Sequence, residues 1–187
     1  MPLKALLVRK RKRIPFLPNP YHLLLRALTR AGVEYLVIGV SGINYFAKDA
    51  RTLLSTADYD LFLRPTPENV ARAWRTFQKC GYTVVIRRGD HKVALRKLPA
   101  KTRDQLVKEQ KTLVAIGPYQ LVAEGLLAIS GFTFEQMKQH AVWMKDRELR
   151  FRFLVGSLQD LLESKRVADR EKDRLFLARY KRLLLDG

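Results

Sequence analysis

Hydrophobic and polar positions along the chain follow two spacings, one typical of helices and one typical of strands. An early helical stripe consists of Leu23, Leu24, Ala27, Leu28 and Ala31. Recurrence at three and four residues is the spacing of an amphipathic helix. We expect this helix to begin after Asn19-Pro20, a capping residue followed by proline, and to end at Gly32.

Later segments rich in aliphatic and β-branched residues predict the strands of a sheet. They span residues 34–38, 58–63, 82–87, 113–116, 119–124 and 149–154, with a hairpin turn at 117–118. The remaining pattern predicts helices over residues 43–48, 68–80, 134–141 and 157–168, and a further helical stretch toward the C-terminus. The predicted fold class is α/β (α+β), with a mixed β-sheet and a C-terminal helical extension. Trp74 and Trp143 are expected to pack in its core.

Charge and pattern together divide the chain into three segments. Residues 1–18 form a basic, proline-punctuated lead, residues 19–156 the predicted core, and residues 157–187 the helical extension. Two interpretations of the lead stay open, an RNA-contacting arm and a frayed, solvated terminus. Residues 87–111 contain nine Lys or Arg against three acidic residues, and their pattern predicts no single element.

The overall composition bears on partners. The net charge is +18, from 36 basic and 18 acidic residues. A charge balance this basic indicates nucleic acid as the first candidate partner and an anionic membrane surface as the second. A basic surface also keeps proteins soluble. No apolar run approaches the roughly 20 residues that cross a bilayer, so we predict no membrane-spanning segment. A single cysteine, Cys80, excludes an intrachain disulfide and favours a cytoplasmic location.

The stretch between residues 35 and 63 contains the strongest signs of chemistry. A hydrophobic strand leads into the turn Gly39-Val40-Ser41-Gly42, and a second strand carries Asp58-Tyr59-Asp60. Successive strand side chains point to opposite faces, so Asp58 and Asp60 share a face. Adjacent carboxylates repel each other unless a cation lies between them, and Mg²⁺ prefers oxygen ligands. A glycine-rich turn that enters a helix is typical of backbone that binds phosphate, although it is also an ordinary strand-to-helix turn.

These motifs resemble those of the nucleotidyltransferase superfamily with the polymerase-β-like fold. The closer likeness is to small bacterial nucleotidyltransferase-like proteins related to the AbiEii toxin group. The ordered set is hydrophobic-Gly-(Gly/Ser), a spacer, and Asp-hydrophobic-Asp, and it continues through residues 44–47, 67–74, 126–134 and 157–174. Val40 stands where Gly or Ser is usual, and Glu124 stands where the family's third aspartate is expected.

The resemblance implies roles for individual residues. The implied metal-binding and catalytic residues, which would hold Mg²⁺ or Mn²⁺, are Asp58, Asp60 and Glu124. The implied nucleotide-binding residues, which would contact ATP or another NTP, are Gly39, Ser41, Gly42 and Lys165. Asp173 matches a later aspartate whose role is less clear.

The implied reaction is transfer of a nucleoside monophosphate from an NTP to a hydroxyl acceptor. The positive charge favours RNA as the acceptor, with tRNA first. Two alternatives stay open: modification of a protein side chain, as in toxin–antitoxin pairs with a protein antitoxin as partner, and a degenerate fold that only binds RNA. Arg166, Arg170 and Arg174 form a basic stripe that is a candidate nucleic-acid contact, or else one face of a solvated helix.

Overall fold

In the computed structural model, residues 19–48, 52–88 and 91–185 are described. The helices are α1 (His22–Arg30), α2 (Gly39–Asn44), α3 (Pro67–Lys79), α4 (Ala100–Lys108), α5 (Phe134–His140), α6 (Leu158–Ala168) and α7 (Glu171–Leu185). The strands are β1 (Tyr35–Val37), β2 (Tyr59–Leu63), β3 (Thr83–Arg88), β4 (His91–Ala94), β5 (Leu113–Ile116), β6 (Val122–Leu126), β7 (Val142–Asp146) and β8 (Phe151–Val155). These elements confirm a mixed α/β fold. The basic lead over residues 1–18 lies outside the described residues.

All eight strands form one mixed sheet in the order β4-β3-β5-β6-β2-β1-β8-β7. β2 is parallel to β6 and β1 is parallel to β8, whereas every other neighbouring pair is antiparallel. The hairpin predicted at Gly117-Pro118 is confirmed, because β5 and β6 pair around a 3₁₀ turn over Pro118–Gln120. Parallel strands begin at the same edge of a sheet, so β2 and β6 present their first residues side by side.

Helices cover both faces of this sheet. On one face, the ring of Phe134 in α5 lies 5.4 Å from that of Phe62 in β2. On the other face, the Tyr35 hydroxyl donates to the Leu25 carbonyl of α1 at 3.0 Å. Trp74 of α3 is buried, as predicted. The sheet is thus the middle layer of the fold, and its strand ends are where side chains can reach solvent.

The prediction that Trp143 packs in the core is wrong. Trp143 lies on β7, the edge strand of the sheet, and is 60% exposed. The Arg152 guanidinium carbon lies 5.3 Å from the centre of its ring. β7 itself was not predicted, because its apolar run, Val142-Trp143-Met144, is short and does not alternate with polar residues.

The helix after β1 begins earlier than predicted. The sequence predicts a turn over residues 39–42 and a helix over 43–48, whereas α2 already begins at Gly39. The Gly42 N–H donates to the Ile38 carbonyl at 2.8 Å, so the glycine-rich turn is itself the first turn of the helix. The backbone amides of this segment therefore belong to a helix start.

The C-terminal extension is helical, as predicted. α6 is capped by Ser157, whose Oγ accepts a hydrogen bond from the Asp160 N–H at 3.1 Å. It ends at Asp169, which has a left-handed φ of 45° and separates α6 from α7. Of the described residues, no helix is long and apolar enough to cross a membrane.

Candidate metal centre

Three carboxylates meet where the parallel strands β2 and β6 begin. Asp60 of β2 pairs in register with Glu124 of β6, and Asp58 immediately precedes β2. One carboxylate oxygen from each residue lies within 4.8 Å of the others, and all three side chains are partly buried. The predicted metal ligands are thus brought together, and the implied third ligand reaches the other two although it is Glu.

The absence of a side chain at Gly39 allows the Asp60 carboxylate to lie at this position. Gly39 has a φ of +63°, a conformation that favours glycine, and a Cβ built on it would overlap the Asp60 carboxylate oxygen Oδ2. The adjacent Ile38 N–H donates to the Asp60 carbonyl at 3.0 Å. Glycine is therefore required here by the close approach of the carboxylate.

Ser41 and Gly42 hold the surrounding backbone together. The Ser41 Oγ is buried and donates to the Asp58 carbonyl at 3.1 Å. A Cβ on Gly42 would lie 3.0 Å from both the Leu161 Cδ1 and the Val37 carbonyl, so glycine allows α2 to pack closely against α6 and β1. Nucleotide contact by Ser41 and Gly42 stays a prediction.

Negative charge in the cluster exceeds the positive charge nearby. Burial, together with the charges of Asp58 and Glu124, raises the pKa of Asp60 to about 7, against the smaller opposing effects of Lys165 and Lys172. Asp58 accepts a hydrogen bond from Thr56 Oγ1 at 2.9 Å. Buried oxygen ligands with an excess of negative charge match the preference of Mg²⁺ and Mn²⁺.

A pocket of about 380 Å³ opens beside Asp60 and Gly39. The cations Lys165 and Arg170 also line this pocket, together with Ser130 and Ser164. The pocket therefore brings one carboxylate of the cluster, Asp60, together with two cations, an arrangement suited to an anionic ligand that also binds a metal ion.

Asp173 positions both cations. It is 1% exposed, and its carboxylate accepts from Lys165 Nζ at 3.2 Å and from Arg170 Nε at 2.6 Å. Burial alone would raise the pKa of Asp173, but the hydrogen bonds from Arg170 and Lys165 outweigh this effect and lower it. Lys165 Nζ also lies 4.6 Å from the centre of the Phe176 ring. The aspartate of unassigned role thus orients the cationic wall.

The three arginines of the predicted basic stripe do not behave alike. Arg170 lines the pocket, whereas Arg166 makes two hydrogen bonds to the Glu163 carboxylate, at 2.6 and 2.7 Å. Arg174 pairs with Asp169 at 3.3 Å. Since each guanidinium has an acidic partner, the stripe offers less positive charge than the sequence pattern indicates, and nucleic-acid contact there stays a prediction.

No protein-family model matches the chain, and no curated protein matches it either. The likeness to nucleotidyltransferases therefore depends on the motifs in the sequence, and the geometry of the carboxylate cluster is an independent observation beside it.

Proposed function

We propose that this protein is a metal-dependent nucleotidyltransferase, which transfers a nucleoside monophosphate from an NTP to a hydroxyl group of RNA. The observation that carries the proposal is the carboxylate cluster of Asp58, Asp60 and Glu124, whose member Asp60 lines a pocket of about 380 Å³ together with Lys165 and Arg170. A cluster of carboxylates alone is common, but one beside a pocket that also contains two cations is suited to a metal–triphosphate complex.

In this proposal the three carboxylates hold Mg²⁺ or Mn²⁺. A bound ion would supply Lewis-acid stabilisation of charge on the phosphates. Lys165 and Arg170 contact phosphate oxygens from the wall of the pocket, and Asp173 keeps both cations in place. Gly39 keeps the backbone close to Asp60 without obstructing its carboxylate.

The acceptor hydroxyl oxygen forms a bond to the α-phosphorus, and the bond between that phosphorus and the bridging oxygen of pyrophosphate breaks. The hydroxyl proton passes to the carboxylate nearest the acceptor. The basic character of the chain, with a net charge of +18, supports an RNA acceptor, and tRNA is the first to test.

The test incubates the protein with each labelled NTP, Mg²⁺ and total tRNA, beside the Asp58→Ala/Asp60→Ala variant. Label on RNA with the wild type alone supports the proposal and identifies the base. Label on protein instead supports side-chain modification of the toxin–antitoxin kind. Absence of transfer with every NTP, together with salt-sensitive tRNA binding, contradicts the proposal and favours the degenerate RNA-binding fold.

A further inference from the structure

The hairpin formed by β7 and β8 carries an exposed basic surface that the candidate metal centre does not use. We name it the basic ribbon. Its members are Trp143, Lys145, Arg147, Arg150 and Arg152. All five side chains are exposed, and the four cations line a hollow of about 720 Å³ together with Phe151. Neither the core nor the pocket explains this concentration of charge.

The charge of the basic ribbon is available to a ligand. Among the residues that the structure describes, none of the four cations forms an ion pair with a carboxylate, in contrast to Arg166, Arg170 and Arg174. The hairpin contains two acidic residues, Asp146 and Glu148, and only Glu148 is exposed.

Asp146 faces inward and anchors the hairpin. It is buried, and its carboxylate lies 2.5 Å from His22 Nδ1 of α1 and accepts from the Leu149 N–H at 2.8 Å. Arg150 closes the turn with a left-handed φ of 53°. The cations are therefore presented on a hairpin whose backbone is already fixed, so that binding loses little backbone entropy.

Trp143 adds a stacking surface to this charge. The register pairs Trp143 with Leu154 and Lys145 with Arg152, so these side chains share one face of the hairpin. Trp143 keeps 60% of its surface exposed although Arg152 lies over its ring. Exposed aromatic rings interleaved with cations bind single-stranded nucleic acid, because bases stack on the rings and cations contact phosphates.

We propose that the basic ribbon is a binding surface for single-stranded nucleic acid. Paired bases are not free to stack on a protein ring, so Trp143 favours a single strand over a duplex. The proposal goes beyond nucleotidyl transfer, because binding requires neither a metal ion nor an NTP.

The basic ribbon lies a few strands from the carboxylate cluster, and α5 packs on the sheet face between them. Trp143 lies on the same sheet face as Asp60, at the same end of the sheet, and three strand spacings separate β7 from β2. At about 4.8 Å per strand this is a distance of about 14 Å. The turn with Arg147 and Arg150 lies at the far end. The relevance of this distance depends on the proposed function, whereas binding itself does not.

The experiment measures fluorescence anisotropy of a labelled oligouridine of about 15 nucleotides with the full chain in EDTA. Arg147→Ala/Arg150→Ala is compared with Arg30→Ala/Arg75→Ala, which removes the same charge from exposed positions of α1 and α3. We expect the ribbon variant to lose at least about tenfold in affinity, and its salt slope to fall by about 1.4 for two lost phosphate contacts. The control should lose less than about twofold. Equal losses in both variants would overturn the proposal, because they would indicate diffuse charge alone.

Trp143 provides a second measurement that does not depend on the arginines. We expect oligouridine to quench the fluorescence of the wild type through this exposed tryptophan, and Trp143→Ala to lose about tenfold in affinity for it. Trp143→Phe should retain most of that affinity, whereas binding of heparin should not change in either variant. Absence of quenching, or an equal loss for heparin and oligouridine, contradicts a stacking surface. Because EDTA and the missing NTP prevent transfer, failure here leaves the proposed function to its own test.

Discussion

Two buried polar clusters lie on opposite faces of β2 and differ in how their charges are matched. On one face, His22 lies between Asp146 and Tyr45, with Nδ1 2.5 Å from the Asp146 carboxylate and Nε2 2.6 Å from the Tyr45 hydroxyl. The Tyr45 hydroxyl is in turn hydrogen-bonded to the Tyr59 hydroxyl at 2.6 Å. On the other face, Asp60, the next residue of β2, belongs to the carboxylate cluster.

This difference in charge matching indicates which of the two clusters has a structural role. Each side chain of the histidine network has a partner of opposite hydrogen-bonding character, and burial raises the pKa of Tyr45 to about 12, which keeps it neutral. In the carboxylate cluster the charges of Asp58 and Glu124 act on Asp60 more strongly than the opposing charges of Lys165 and Lys172. A satisfied network stabilises the fold, whereas adjacent carboxylates are an arrangement that a bound cation would stabilise.

The largest expected effect is the difference in unfolding free energy between two Asp→Asn variants, one in each cluster. At pH 8 without divalent cations, Asp60→Asn should raise the free energy of unfolding by about 1 kcal/mol, because it removes repulsion between carboxylates. Asp146→Asn should lower it by about 2 kcal/mol, because His22 and the Leu149 N–H lose a charged acceptor. Urea denaturation in EDTA measures both.

Activity should separate the two variants further. Loss of a metal ligand removes several kcal/mol of transition-state stabilisation, so Asp60→Asn should lower transfer at least about a hundredfold and abolish stabilisation by Mg²⁺. Asp146→Asn should retain Mg²⁺ binding at a temperature where it is folded. A destabilised, Mg²⁺-responsive Asp60→Asn protein would contradict the distinction between the clusters.

Gly39 and Gly32 offer a matched pair with a smaller effect. Both have positive φ, but a Cβ on Gly32 meets nothing within 4 Å, whereas one on Gly39 overlaps Asp60. Gly32→Ala should cost about 1 kcal/mol of unfolding free energy from backbone strain alone. Gly39→Ala should cost more and should also weaken Mg²⁺ binding, measured by calorimetry. Equal costs with unchanged Mg²⁺ binding would show that Asp60 does not depend on this glycine.

The cationic wall can be tested with one pair of carboxylate substitutions. Asp173→Asn should weaken NTP binding about tenfold, because Lys165 and Arg170 lose the charged group that orients them. Glu163→Gln, which releases Arg166 outside the pocket, should leave NTP binding within about twofold. Equilibrium binding of a labelled NTP measures both, and Mg²⁺ binding in the absence of NTP should be unchanged. Equal weakening in the two variants would indicate a general effect of charge.

The candidate site was predictable from sequence where local rules decide it. Alternation along a strand predicts that Asp58 and Asp60 share a face, and this needs no knowledge of the rest of the fold. The proximity of Glu124 depends on the parallel pairing of β2 with β6, which no local pattern encodes. Here the resemblance to a family, and not the periodicity of the chain, led to the prediction that Glu124 joins Asp58 and Asp60.

Other features depend on contacts between distant residues, and the sequence did not predict them. His22 and Asp146 are 124 positions apart, and the apolar run in β7 is too short to predict a strand. Trp143 was assigned to the core from its residue type, although the edge position of β7 leaves it exposed. Arg170 reaches the pocket because Asp169 ends α6 in a left-handed conformation, which a continuous helical stripe does not predict.

The smallest expected effect is a change in unfolding free energy at low pH, and it tests how the histidine network is stabilised. Burial alone would raise the pKa of Asp146, but hydrogen bonds from the Leu149 N–H and His22 outweigh it and hold the pKa below its ordinary value. The stability contributed by this carboxylate is present above the unfolded-state pKa of about 3.9 and is lost as the pH falls through the lower folded-state pKa. Wild type should therefore lose more unfolding free energy than Asp146→Asn between about pH 5 and pH 2, by roughly 1 kcal/mol in urea titrations. Parallel losses in the two proteins would mean that Asp146 is no better stabilised as an anion in the fold than in the unfolded chain, and the network would then owe its stability to Tyr45 and Tyr59 instead.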